Sequence, residues 1–229
     1  MTGTIVMVTG ANGGLGASVT EALLEAGATV VGVSRHIQQS AFTQDKFTAL
    51  AAEISTAEGA KNIVETIVKR FGKLDVVVHT VGGFAGGPSI VDTDEATFQR
   101  MFDLNLNSAF YLLRAAIPEL RKSGSGRLIA IGSRAALEPG PGVGAYSASK
   151  AALVSLIRTA ALENKDSGMT ANTILPGTID TPANRKAMPG ANVSKWVPPA
   201  AIASLIVWLC GDGAKEITGA AIPVYGGDV

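Results

Sequence analysis

The sequence has very little cysteine and almost no histidine. Cys210 is the one cysteine among 229 residues, so the chain cannot form an intrachain disulfide, and nothing indicates an oxidising compartment. The two histidines are His36 and His79, and neither has a second ligand at the spacing of a metal site. We therefore expect no structural or catalytic metal.

Charge of either sign is also scarce. Charged residues make up 17% of the chain, and 19 basic residues balance 19 acidic ones to a formal net charge of zero. A nucleic-acid or anionic-membrane partner normally requires a basic excess or patch, and the sequence has no dense run of Lys and Arg. The composition argues against both partners and favours a small-molecule ligand.

Long apolar runs and targeting signals are absent as well. No apolar stretch approaches the roughly twenty residues that a bilayer-spanning helix needs. The N-terminus opens into a strand-like run, without the basic stretch, apolar core and cleavage site of a signal peptide. We expect a soluble, cytoplasmic protein, and its length of 229 residues suits one large domain better than two small ones.

Short apolar runs alternate with longer amphipathic stretches along the whole chain. This alternation predicts an α/β fold, a single-domain Rossmann-like doubly wound parallel sheet of about seven strands over residues 1–229. Several runs are apolar nearly throughout, as strands covered by helices on both faces must be. The predicted strands are Thr4–Thr9, Thr29–Ser34, Phe47–Leu50, Leu74–Thr80, Arg127–Gly132, Met169–Ile174 and Ala220–Val224. The predicted helices are Gly14–Ala26, Ala57–Phe71, Asp94–Lys122, Ala145–Asn164 and Pro199–Leu209.

Two longer irregular segments, 82–94 and 175–198, interrupt this alternation. Both follow predicted strands, so they should lie at the carboxyl ends of the strands, where open α/β sheets bind ligands. Long loops without regular structure of their own are usually functional. We predict that these two segments surround the substrate.

A glycine-rich turn follows the first predicted strand. Its glycines stand at the spacing G-x-x-x-G-x-G and open the first predicted helix. One glycine permits a tight turn, one lets the backbone approach a pyrophosphate, and one allows close packing of helix on strand. The free N–H groups at the helix start would meet the phosphate charge. The residues predicted to bind a dinucleotide in this way are Gly10, Asn12, Gly13, Gly14, Leu15 and Gly16.

The spacing of this turn resembles the short-chain dehydrogenase/reductase family, and three further motifs carry the resemblance. The family's Tyr-x-x-x-Lys is present as Tyr146 to Lys150, its serine at the end of the fifth strand matches Ser133, and the asparagine of its long helix matches Asn105. Residues four apart share a helix face, so Lys150 should lie beside Tyr146. The resemblance covers the whole chain and implies an NAD(P)-dependent oxidoreductase that moves a hydride between a nicotinamide and a carbonyl or alcohol.

The resemblance also implies a role for each of these residues. In reduction, Tyr146 donates a proton to the developing alkoxide, and Ser133 hydrogen-bonds the same oxygen. Lys150 tunes Tyr146 and binds the nicotinamide ribose, while Asn105 holds a water in a proton relay to Lys150. Because a free phenol has a pKa of about 10, we expect the ammonium, aided by a positive nicotinamide, to lower the pKa of Tyr146 by about three units.

The residues after the second predicted strand bear on the choice of cofactor. NAD-preferring members of the family carry Asp where this chain has Ser34, whereas Arg35 can pair with a 2′-phosphate. We therefore favour NADP, with NAD and a solvated Arg35 as the alternative. By resemblance, Glu53 reaches the adenine amine. The remaining cofactor contacts implied by the family are Gly82, Pro176, Gly177, Thr178, Ile179 and Thr181.

Two loops, 82–87 and 180–196, resemble one branch of the family, dihydropteridine reductase. That enzyme reduces a flat quinonoid dihydropterin, usually lacks the catalytic serine and prefers NADH, whereas this chain has Ser133 and Ser34. We therefore place carbonyl or alcohol chemistry first and pterin reduction second. A dinucleotide-binding regulator without catalysis is the alternative from another class. The residues expected to contact the substrate are Phe84, Ala135, Met188 and Trp196.

The two longest predicted helices carry wide apolar surfaces. In the family, such helices pair across a dimer interface, often within a tetramer, so we expect a homodimer or a homotetramer. Packing inside the monomer is the competing account for each residue. The apolar positions concerned are Phe102, Leu106, Phe110, Leu113, Leu153, Leu156 and Ile157.

Overall fold

The computed structural model of the chain describes residues 1–227, and the last two residues of the predicted domain, 228 and 229, lie outside the described residues. Seven parallel strands form one sheet in the order β3-β2-β1-β4-β5-β6-β7. The predicted Rossmann-like doubly wound sheet is confirmed. The strands are β1 (Ile5–Thr9), β2 (Thr29–Ser34), β3 (Phe47–Ala51), β4 (Val76–His79), β5 (Arg127–Ile131), β6 (Thr170–Pro176) and β7 (Ala221–Val224). The α-helices are α1 (Gly14–Glu25), α2 (Ala57–Phe71), α3 (Glu95–Phe102), α4 (Ser108–Lys122), α5 (Gly144–Glu163), α6 (Pro182–Ala187) and α7 (Pro199–Leu209).

Helices cover both faces of the sheet, which explains why its central strands are apolar at nearly every position. Successive side chains of a strand point to opposite faces. In β1, Val6 and Val8 join the core that includes Leu23 of α1. Met7, between them, joins the core that includes Leu112 of α4 on the other face. A strand buried on both sides has no exposed face on which polar residues would alternate.

The order of the strands reverses beside β1, which lies between β2 and β4. Connections that leave β1 and β4 therefore diverge at their carboxyl ends and open a crevice between them. The glycine-rich turn follows β1, and Ser133 follows β5 on the same edge of the sheet. The fold thus brings the predicted cofactor turn and the predicted catalytic residues to one edge.

The predicted helix Asp94–Lys122 is interrupted by a π-helical turn at Asp103–Asn107, between α3 and α4. The Ser108 N–H donates to the carbonyl of Asp103, five residues earlier, so one extra residue fits into the turn. The backbone stays helical through it, and the predicted extent of the helix is otherwise correct. The extra residue rotates the apolar face of α4 relative to that of α3 by about 100°, a shift that the short apolar pattern on either side does not reveal.

The two predicted irregular segments contain some regular structure. Segment 175–198 begins inside β6, because Pro176 pairs with Val224 of β7, and it contains the short helix α6. α6 is only six residues long and has no buried residue, so no apolar period marks it in the sequence. Segment 82–94 contains a single 3-10 turn at Ile90–Asp92.

The apolar surfaces of the long helices divide between core and solvent. Leu113, Leu153 and Ile157 are buried in the core of the monomer, as the competing account requires. Phe110 is 45% exposed. Within residues 1–227, none of the helices combines the length and apolar character needed to cross a bilayer.

Candidate active site

The glycine-rich turn links the end of β1 to the start of α1. Gly10 has a φ of +70°, and a Cβ on Gly16 would stand 2.0 Å from the carbonyl oxygen of Gly10. These two positions therefore require glycine. Asn12, Gly13 and Gly14 are exposed at the tip of the turn, whereas Leu15 turns its side chain into the core.

The start of α1 is open to an anion. Gly13 is its N-cap, and no side chain among the described residues caps the helix. The first N–H groups of a helix have no partner within the helix, and they carry its positive dipole end. A Cβ on Gly14 would stand 2.9 Å from Cβ of Thr181, so the turn and the segment after β6 face each other closely. Backbone N–H groups exposed on a turn without side chains fit a pyrophosphate.

A cavity of about 210 Å³ lies beside this turn, at the carboxyl ends of β1 and β2. Ser34, Arg35 and Glu53 all line it, as do Val33 and Ile54. The side chains of Arg35 and Glu53 are exposed, as is that of Asp103, a third charged residue of the lining. The cavity thus brings together the three residues that the sequence assigned to the adenosine end of the cofactor.

A larger cleft of about 660 Å³ opens between the segments that follow β4, β5 and β6. It brings together most of the predicted site residues, and Trp196 is not among the described residues that line it. Trp196 is instead 7% exposed and packed into the protein, so its predicted contact with substrate is wrong. The predicted residues that line the cleft are Gly82, Phe84, Ser133, Ala135, Tyr146, Lys150, Pro176, Gly177, Thr178, Ile179 and Met188.

Burial raises the pKa of Tyr146 above its usual value, and a polar contact with the Ser133 side chain offsets part of this effect. The ring of Tyr146 also packs edge-on against Phe84, with 5.0 Å between the ring centroids. The lowering of this pKa that we expect from Lys150 together with a positive nicotinamide stays a prediction.

Lys150 lies one helical turn after Tyr146 and is 4% exposed. Its Nζ donates to the carbonyl oxygen of Ile131, at 2.8 Å, at the end of β5. Burial lowers the pKa of Lys150 to about 8. An amine with such a pKa can give up and regain a proton near neutrality, unlike an ordinary surface lysine.

Asn105 lies in the π-helical turn and is fully buried. Its Nδ2 donates to the carbonyl of Gly83 at 3.0 Å, and its Oδ1 accepts from the Gly83 N–H at 2.9 Å. The same Nδ2 donates to Ser149 Oγ, in the turn between Tyr146 and Lys150, at 3.0 Å. A Cβ on Gly82 would stand 2.8 Å from Asn105 Oδ1 and 3.0 Å from Lys150 Nζ. The amide thus joins the segment after β4 to the helix that carries the lysine.

His79 is buried at the end of β4, and its Nδ1 lies 3.0 Å from Thr9 Oγ1 of β1. Burial lowers the pKa of His79 to about 3, and the charge of Lys150 acts in the same direction. The imidazole is therefore neutral at working pH and joins two neighbouring strands.

The segment after β6 closes one side of the cleft. Thr181 is 8% exposed, and its Oγ1 accepts from the Asn184 N–H at 3.2 Å, which caps α6. Ile179 pairs with Val197, which holds the two ends of this segment together. Thr181 thus lies next to Gly14, and its hydroxyl caps the short helix α6.

Two charged residues that sequence reasoning did not single out also line the cleft. Arg134 directly follows Ser133, and Glu138 lies four residues later. The position of an arginine beside the predicted catalytic serine was the available signal. Val143 and Asn184 complete the wall.

Comparisons with known proteins place these features in context. The family model described as short chain dehydrogenase matches residues 4–192. The D-beta-hydroxybutyrate dehydrogenase of Rhizobium meliloti (strain 1021) is 30% identical over 259 residues, covering 99% of this chain and 98% of that protein. Dehydrogenase/reductase SDR family member 4 of Bos taurus is 29% identical over 98% of this chain and 87% of its own length. The crystal structure of 3-ketoacyl-(acyl-carrier-protein) reductase from Brucella melitensis complexed with NADH superposes with a TM-score of 0.88 at 25% identity, covering 99% of this chain and 98% of that one.

Proposed function

The chain belongs to the short-chain dehydrogenase/reductase family and is an NAD(P)-dependent oxidoreductase, and from this premise we propose that it interconverts a small carbonyl compound and its alcohol. The observation that carries this proposal is the large cleft that Ser133, Tyr146 and Lys150 line together, with Lys150 one helical turn after Tyr146. A bound nicotinamide supplies or accepts the hydride. The protein then has to orient the substrate oxygen and move a proton.

Tyr146 is the proposed proton donor in reduction. Its pKa is raised, so its hydroxyl carries a proton across the neutral range, which is the form that a general acid needs. Ser133 is in polar contact with this hydroxyl and can hold the carbonyl oxygen of a substrate beside it. Negative charge that develops on that oxygen would meet two hydroxyl donors.

Lys150 and Asn105 support this proton transfer. Lys150 can pass a proton near neutrality because its pKa is about 8. Asn105 acts as a positioning residue, because its amide joins the backbone of Gly83 to Ser149 and so fixes the segment that faces Lys150. An amide oxygen has two lone pairs, and one lone pair of Asn105 Oδ1 already accepts from the Gly83 N–H. The water of the relay that the family implies would donate to the other.

We also propose NADP rather than NAD as the preferred cofactor. Arg35 and Ser34 line the cavity beside the glycine-rich turn, and the exposed guanidinium can pair with a 2′-phosphate. Glu53, in the same cavity, offers an acceptor to the adenine amine.

Replacing Arg35 with Gln should shift the cofactor preference towards NADH. A charge-assisted hydrogen bond contributes about 1.5 to 3 kcal/mol, so the ratio of kcat/KM for NADPH over NADH should fall by about 10- to 100-fold. Steady-state kinetics with both cofactors measures this ratio. The control is Arg158→Gln, an exposed arginine of α5 with the same change of charge. An unchanged ratio in Arg35→Gln would exclude the proposed contact.

The proposed function is tested by NADPH consumption over a panel of aldehydes, ketones and quinonoid dihydropterin. We expect turnover of at least one carbonyl compound, and a loss of about 10²-fold in kcat for Ser133→Ala. The matched control is Ser155→Ala, on the exposed side of α5. Turnover of the pterin alone, insensitive to Ser133→Ala, supports pterin reduction instead. Binding of NADPH without any turnover supports a regulator.

Two expectations stay predictions from the sequence, a cytoplasmic location and a homodimeric or homotetrameric assembly. Exposed aromatic side chains on neighbouring helices support the assembly, because a second copy would cover them. Phe98 of α3 is 47% exposed and Phe110 of α4 is 45% exposed.

A further inference from the structure

Three large apolar side chains line the cleft around Tyr146, and each comes from a different segment of the chain. They are Phe84 from the segment after β4, Val143 directly before α5, and Met188 directly after α6. We call these three residues the apolar wall. Phe84 is 67% exposed and Met188 is 40% exposed, although proteins usually bury both residue types. Exposed apolar surface inside a cleft marks a place where a ligand or a partner covers it.

The apolar wall adjoins the proposed proton donor. The ring of Phe84 packs edge-on against that of Tyr146, with 5.0 Å between the ring centroids. A Cβ on Gly86 would stand 2.8 Å from Cζ of Phe84 and 3.2 Å from Cγ1 of Val143, so these two side chains lie side by side. Met188 lines the same cleft from the segment after β6. A group attached to the reacting carbonyl carbon would therefore reach the wall while the carbonyl oxygen contacts Tyr146.

The charged side chains of the cleft already have partners within the protein. Among the described residues of its lining they are Arg134, Glu138 and Lys150. Arg134 Nε donates to Glu138 Oε2 at 2.7 Å, and Lys150 Nζ donates to the carbonyl oxygen of Ile131 at 2.8 Å. The apolar wall instead faces water, and removing apolar surface from water is favourable. The wall therefore favours a ligand that brings apolar surface of its own.

We propose that the apolar wall binds an apolar group attached to the reacting carbonyl, so that this cleft takes hydrophobic ketones and aldehydes in preference to polar ones. The inference rests on the proposed function, since it names the substrate class of that same cleft. Phe84 and Met188 are here specificity-determining residues. The apolar group lies against their side chains, while Ser133 and Tyr146 contact the oxygen.

Two other accounts of the exposed side chains make different predictions. In one, the side chains of the wall cover one another when the segments around the cleft move together. In the other, a second copy of the chain covers them. In both, a polar substitution in the wall would change turnover of short and long substrates alike. A contact with the substrate would instead affect only those substrates that are long enough to reach the wall.

The experiment measures kcat/KM of the full-length enzyme with NADPH over two series of substrates. One series runs from methyl ethyl ketone to methyl pentyl ketone, and the other from propanal to hexanal. We expect kcat/KM to rise by up to about fourfold with each added methylene, which corresponds to about 0.8 kcal/mol for a buried methylene. Methoxyethyl methyl ketone is the matched polar probe, because an ether oxygen replaces one methylene of methyl butyl ketone at the same length. Its kcat/KM should be lower than that of methyl butyl ketone by about fivefold or more.

Polar substitutions test the wall itself, and glutamine matches methionine closely in size. Met188→Gln and Phe84→Gln should each lower the ratio of kcat/KM for the longest over the shortest substrate of a series by about three- to tenfold. Met188→Leu and Phe84→Leu keep an apolar side chain and should retain most of this ratio. The control is Leu162→Gln, because Leu162 is 66% exposed near the end of α5 and is not among the described residues that line the cleft.

Values of kcat/KM that do not rise with chain length in either series overturn the inference and leave the proposed function intact. An unchanged ratio in both Met188→Gln and Phe84→Gln overturns it as well. An equal loss for short and long substrates in these variants supports one of the two other accounts and also overturns it. If Phe84→Gln does not fold, Met188→Gln and the wild-type series still decide. An enzyme that reduces no carbonyl compound of these series or of the panel above overturns the proposed function, and this inference with it.

Discussion

Replacement of Tyr146 with Phe is expected to lower kcat for carbonyl reduction by about 10²- to 10⁴-fold, the usual contribution of a general acid. Phenylalanine keeps the ring that packs against Phe84 but removes the hydroxyl that is in polar contact with Ser133. The fold and the cofactor turn should therefore be unaffected. Steady-state turnover and NADPH binding, the latter followed by fluorescence, measure the two effects separately.

The matched control for this variant is Tyr111→Phe, a phenol of α4 that lines a groove between α2 and α4 and is not among the described residues of the cleft. Its turnover should equal that of wild type. Reduction by the wild-type enzyme should decline as pH rises through about 8, where Lys150 loses its proton, and further where Tyr146 does so at a pH above its ordinary pKa. Turnover near the wild-type level in Tyr146→Phe would remove Tyr146 from the mechanism.

The parts of the fold that the sequence predicts well are those where one physical constraint acts on every residue of a segment. A strand between two helical layers must be apolar on both faces, so β1 and β5 stand out as short apolar runs. The glycine-rich turn is equally easy to predict from the sequence, because positions 10 and 16 have no room for a side chain and require glycine. That Lys150 lies beside Tyr146 follows from helix geometry, since four residues make about one turn, whereas their role is implied by the family resemblance.

The parts that the sequence does not predict depend on contacts between segments that are far apart in the chain. Trp196 is a large apolar residue on a loop, and only the packing around it decides whether it faces the cleft or the core. The sign of the pKa shift at Tyr146 depends on how much water the folded protein leaves around the phenol.

Among the possible Gly→Ala substitutions in this chain, Gly16→Ala is expected to weaken cofactor binding the most. The new Cβ would stand 2.0 Å from the carbonyl oxygen of Gly10 and 2.8 Å from its carbonyl carbon. Both atoms belong to the backbone of the turn, so the steric overlap can be removed only if the turn itself moves. Overpacking of this kind costs about 1 to 3 kcal/mol or more, which in a domain of this size lowers Tm by about 5 to 10 °C. Calorimetry measures the loss of stability.

Binding of NADPH by Gly16→Ala should weaken by at least about 100-fold, because the displaced turn no longer aims its N–H groups at the pyrophosphate. Gly14→Ala separates this effect from instability. Its Cβ would meet the side chain of Thr181, at 2.9 Å, rather than the backbone of the turn, so we expect weaker binding with a smaller fall in Tm than in Gly16→Ala. Gly213→Ala is the control, because its Cβ would meet Trp208 Nε1 at an ordinary contact distance of 3.6 Å. If Gly16→Ala bound NADPH as tightly as Gly213→Ala does, the turn would not be the phosphate site, and the dinucleotide would have to bind elsewhere on the sheet.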